Sequence, residues 1–88
     1  MARPALASET LAELGVQIFG PDWAASMGRL TGINARTLLR VKASAAAGEE
    51  YPAARGALAE LVTALNRVAG LARSEADRLG VSLRSHES

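Results

Sequence analysis

The run at residues 22–43, DWAASMGRLTGINARTLLRVKA, constrains this chain more than any other stretch. It reads as two short helical segments separated by a tight turn at Gly32, with apolar side chains at Met27, Ile33, Leu38 and Val41. Gly28 stands four residues before Gly32. A residue without a side chain at 28 lets the second helix pass close over the first, and a glycine at 32 allows a left-handed turn at little steric cost. A chain carrying this pattern is committed to two helices that cross over a small residue.

Elements on either side follow from capping and periodicity. Thr10 and Glu13 have the spacing of a capping box, with Ser8 as the alternative cap. Leu11, Leu14, Ile18 and Phe19 recur at helical intervals, and Gly20-Pro21 stops that helix. Asp22 is a natural N-cap for the second helix, where its carboxylate meets the positive helix end. Trp23 is expected to pack inward. Asn34 caps the third helix, which fades before Gly48, leaving Ala35, Arg36 and Thr37 exposed in its first turn. Leu38 and Val41 point inward, whereas Arg36 and Arg40, four apart, share the outer face. Pro52 is suited to the first turn of a long fourth helix reaching about Leu79.

The expected fold is all-α: a helix-turn-helix core of three short helices plus a long C-terminal helix. Residues 1–8 read as a flexible arm, 10–48 as the core, 52–80 as the long helix and 81–88 as a frayed tail. In the long helix, Leu58, Leu61, Leu65, Val68 and Ala72 form a heptad-like seam, flanked by Val62, Ala69 and Ala76. A helix of that length extends about 42 Å, more than a core this small can cover. Of the 88 residues 49% are apolar, but much of that is alanine, and only Phe19, Trp23 and Tyr51 are aromatic. So thin a core favours a homodimer. Leu58, Leu61, Val62, Leu65, Val68, Ala69 and Ala72 are the expected interface; a helix kinked back at Gly70 is the alternative.

Charge distribution points to a partner. The net charge is only +1, yet no acid lies between Trp23 and Gly48, where Arg29, Arg36, Arg40 and Lys42 reside. A locally cationic segment in a near-neutral chain is the footprint of a nucleic-acid face. Other chemistry finds little support. The chain has no cysteine and one histidine, His86, in the tail. Glu49-Glu50 lacks a third group at metal-ligand spacing, and the glycines punctuate helices without forming a phosphate-cradling loop. No enzyme, metal, cofactor or small-molecule ligand is expected. Nor does any apolar run suggest a signal peptide or membrane span, so a cytoplasmic protein is expected.

Gly20-Pro21-Asp22-Trp23, Met27-Gly28, Gly32-Ile33 and Arg36-Thr37-Leu38-Leu39-Arg40 together resemble the GPxW…LA…LGV…RTVRRW run of small helix-turn-helix regulators. These are Cro/C1-type relatives of bacterial and prophage origin. Two positions depart from the pattern: Thr31 replaces a usual leucine, and Val41 replaces a frequent tryptophan. The resemblance implies a sequence-specific regulator of transcription, most commonly a repressor, bound to double-stranded DNA at an inverted repeat. It implies that the helix at residues 34–45 enters the major groove, with Arg36 and Arg40 reading guanine, Asn34 and Thr37 bonding to a base or phosphate, and Ala35 touching a thymine methyl. Arg29 and Lys42 would contact phosphates, as would the free N–H groups of Trp23 and Ala24 at a helix start. Arg3 on the arm could reach a groove. The competing expectation is a helical protein–protein adaptor acting through its C-terminal helix.

Overall fold

A computed structural model describes residues 5–80, all of whose regular structure is helical. Arg3, His86 and the tail at residues 81–88 lie outside the described residues, as do the first four residues of the expected arm. Four helices follow in order: α1 (Ala7–Phe19), α2 (Trp23–Thr31), α3 (Ala35–Ala46) and α4 (Ala54–Arg78). The first three pack on one another, and α4 lies chiefly against α1 and α2.

The core takes one stripe from each helix: Leu11 of α1, Trp23, Ala24 and Met27 of α2, Leu38 and Val41 of α3, and Ala54, Ala57 and Leu61 of α4. Leu14 and Phe19 pack half-buried at its edge, but Ile18, expected on the same stripe, is 44% exposed. Trp23 is the largest buried side chain, and it fits because α1 presents no side chain at Gly15. A Cβ there would stand 2.4 Å from the indole ring.

The turn between α2 and α3 is built as its glycines suggest. Gly32 has φ 82° and ψ 2°, the left-handed region, and its N–H donates to the Gly28 carbonyl at 2.9 Å. At Gly28 a Cβ would lie 3.0 Å from the Ile33 carbonyl oxygen, so small size at 28 is enforced by backbone. Thr31, where the resembled pattern has leucine, contributes hydrogen bonds in place of apolar contact. Its hydroxyl donates to the Met27 carbonyl at 2.8 Å and accepts the Ile33 N–H at 3.2 Å. Val41 is fully buried despite its small size.

Several helix starts differ from expectation. α1 begins at Ala7, ahead of Thr10, so Ala7 and Ser8 belong to the helix and not to an arm. The Glu9 carboxylate accepts the Leu6 N–H at 3.2 Å, and Glu50 reaches across from the α3–α4 loop to take the next two donors. Ala7 N–H donates to Glu50 at 3.0 Å and Ser8 N–H at 2.7 Å, while the Ser8 hydroxyl donates to the same carboxylate at 2.8 Å. The Ser8 oxygen in turn accepts the Tyr51 N–H at 2.7 Å, which satisfies a wholly buried hydroxyl. These bonds, led by the Ser8 N–H and then its hydroxyl, hold the Glu50 carboxyl below its ordinary value, against some desolvation. Asp22 occupies the cap position of α2, but its side chain makes no capping hydrogen bond. Pro52 precedes α4 in a turn, and the helix starts at Ala54.

The long helix corrects the expected seam. α4 continues unbroken through Gly56 and Gly70, without the fold-back considered for it. Leu61 is 0% exposed inside the chain's own core, so it is not an interface residue, and Leu58 and Leu65 pack half-buried at the edge of that core. Ala54, Ala57 and Ala64 complete the inward stripe, because only small side chains let α4 approach α1 and α2 so closely. Val62, Val68, Ala69 and Ala72 are exposed.

Candidate nucleic-acid interface

α3 is positioned from behind and left open in front. Leu38 and Val41 anchor it in the core, and Asn34 fixes its start: the Oδ1 of Asn34 accepts the Arg36 N–H at 2.8 Å. One hundred degrees per residue then carries positions 35, 36, 39, 40 and 43 to the side away from that anchor. All five are exposed, and Thr37 is half-buried. Arg36 and Arg40 are exposed and make no side-chain hydrogen bond or ion pair among the described residues, and α4 packs chiefly on α1 and α2. Asn34 and Ala35 are exposed at the same end of the helix.

The candidates grouped as phosphate contacts are not equivalent. Arg29 is exposed at the end of α2, with one guanidinium nitrogen 3.4 Å from the Ser26 hydroxyl, too long to hold it firmly. Lys42 is already engaged, because its Nζ donates to the Pro21 carbonyl at 3.1 Å and ties α3 to the α1–α2 turn. Trp23 and Ala24 have buried side chains, so only main-chain N–H groups could face a ligand there. Asp22 adds an exposed carboxylate beside them and shares a shallow recess of about 260 Å³ with Ala35, Leu39 and Lys42. The start of α2 is therefore the least favourable part of this face for an anion.

Leu39 escaped the sequence reading. It is 53% exposed, one turn from Arg36 and to one side of the arginine pair, a large apolar side chain presented to water. The spacing that pairs the two arginines also places 39 beside them, and that signal was available. No group of His, Cys, Asp and Glu among the described residues could hold a metal ion, and no helix there is long and apolar enough to cross a membrane.

Fold and face together define an all-α domain in which a glycine-turned helix pair projects one open, cationic helix. Compared with family profiles, curated proteins and solved structures, the chain has no significant match.

Proposed function

We propose that the chain is a DNA-binding regulator of transcription, acting as a homodimer at an inverted repeat and most simply as a repressor. The observation that supports this most is the outer face of α3: Arg36 and Arg40 one turn apart, exposed, without a side-chain partner among the described residues, on a helix whose other side is fixed in the core. An arginine fork pairs with guanine O6 and N7, and each such pair discriminates by about 1–3 kcal/mol. Leu39 beside them suits the methyl group of a thymine, as does Ala35. The amide nitrogen of the exposed Asn34 suits a base or phosphate and Arg29 a phosphate, whereas Thr37, half-buried in a recess with Pro52, Gly56 and Glu60, is the weaker candidate.

The test is selection of bound sequences from a random duplex pool, followed by binding of the recovered site in a salt series. Enrichment of one motif and a fall of affinity with salt are expected. Arg36→Ala and Arg40→Ala should each weaken that site by about 1–3 kcal/mol while the far-UV helical signal stays at the parent level. If both variants bind the recovered site as the parent does, α3 is not the reading helix. A second reading, a helical adaptor, draws on the exposed Val68 and Leu71 of α4. Failure to bind duplex DNA at low salt favours it.

A further inference from the structure

From the bare second half of α4 we infer that two copies pair antiparallel through it, with the two-fold axis at Ala72. This deepens the dimer part of the reading above and stands independently of DNA binding. Beyond Leu65 the helix leaves its own core and projects through residues 66–78, about 20 Å. The stripe that was buried continues along this projection as Val68, Ala72, Ala76 and Leu79. Val68 is 43% exposed and Leu79 73%, and Leu71 beside them is 63% exposed.

Three features select a second copy as the occupant. The spacing 65, 68, 72, 76, 79 runs three, four, four, three and is therefore the same read backwards. Laid antiparallel about residue 72, Leu65 faces the other copy's Leu79, Val68 faces Ala76, and Ala72 meets itself, small enough for close approach. The orientation follows from bulk. The chain's own core covers the first half of this same face, so two parallel helices would drive their cores into each other. Antiparallel helices carry the cores to opposite ends, and each α4 ends where the other copy's core begins. The flanks add a third feature. A two-fold axis across the helices sets like flanks together, which seats the two exposed Leu71 side chains beside each other and the two Arg73 on the opposite flank, while Glu75 keeps Arg78 of its own helix as partner. The cores, centred near Leu61, then lie about 33 Å apart along the helix. That is on the order of one turn of B-DNA, the spacing of paired half-sites.

The seam is about 20 Å long and one helix wide, at the low end of specific interfaces, so the dimer should dissociate on dilution. Because the chain has no cysteine, the register can be read by oxidative cross-linking. Ala72→Cys should form a covalent dimer by itself. Val68→Cys and Ala76→Cys should each stay largely uncoupled alone and couple when mixed. Light scattering over a concentration series should find the parent dimeric at high concentration and Leu71→Glu monomeric, with an unchanged far-UV signal. Self-coupling of Val68→Cys as efficient as its coupling to Ala76→Cys would overturn the antiparallel arrangement. A parent that stays monomeric at millimolar concentration would overturn the pairing itself. Either failure leaves the DNA-binding test untouched, since that test reads Arg36 and Arg40.

Discussion

The two halves of α4 carry the same apolar rhythm and meet opposite fates. In the first half Ala54, Ala57, Leu61 and Ala64 are buried, and Leu61 is completely sealed. In the second half Val68 and Leu71 face solvent, as does Leu79 just past the helix end. Periodicity cannot tell these apart, because it records which face is apolar and not what lies opposite. The division falls where the three short helices run out of length. Apolar spacing on a long helix thus predicts a buried stripe, whereas the size of the rest of the domain decides how much of it is buried by the chain's own residues.

The sharpest way to break this contrast is to truncate a leucine in each half. Leu61→Ala should cost about 2–5 kcal/mol in urea unfolding, the usual loss for a sealed core leucine. Leu71→Ala, measured at a concentration where the chain is monomeric, should stay within about 0.5 kcal/mol of the parent. Equal effects would mean that the second half is also packed within one chain.

Glycines sharpen the same comparison with smaller effects of opposite sign. Gly15→Ala places a methyl into the Trp23 ring and should destabilise by about 1–3 kcal/mol, with a shift in tryptophan emission. Gly70→Ala adds a methyl to open space on an exposed helix, where alanine is favoured over glycine by about 1 kcal/mol, and should raise the melting temperature. A destabilising Gly70→Ala at monomer concentrations would show that the projecting half of α4 is covered.

The smallest effect concerns pH. A carboxyl held below its ordinary value in the folded chain stabilises the fold above the unfolded-state value. That contribution fades as pH falls from the ordinary carboxyl range through the lowered folded value. Glu50 clasps the start of α1, away from the projecting half of α4, so Glu50→Gln should flatten the acid limb of the stability profile without altering the proposed pairing. An unchanged acid limb would show that the Ala7 and Ser8 bonds to Glu50 add nothing in solution.

Local chemistry was legible and distant chemistry was not. The turn at Gly32, the small residue at 28, the Asn34 cap and the inward Leu38 and Val41 all depend on neighbours within one or two helical turns, and those neighbours are visible in the sequence. Trp23 was read as a core residue, but its seat at Gly15 depends on how α1 crosses α2. The Glu50 clasp joins residues more than 40 positions apart, and nothing in a pair of loop acids announces which helix start they will cover. The start of α1 at Ala7, ahead of Thr10, rests on that clasp together with a local bond that the sequence did offer, from the Leu6 N–H to Glu9. Of the candidate face, Arg36 and Arg40 emerge where helix geometry placed them, whereas Lys42 is diverted to the Pro21 carbonyl, a partner 21 residues earlier.

A Cβ at Gly28 would stand 3.0 Å from the Ile33 carbonyl oxygen, so the entry to α3 is seated on main chain as well as on the buried Leu38 and Val41. A side chain at 28 would push on that entry directly and re-aim Arg36 and Arg40 as one unit, even with the rest of the interior intact.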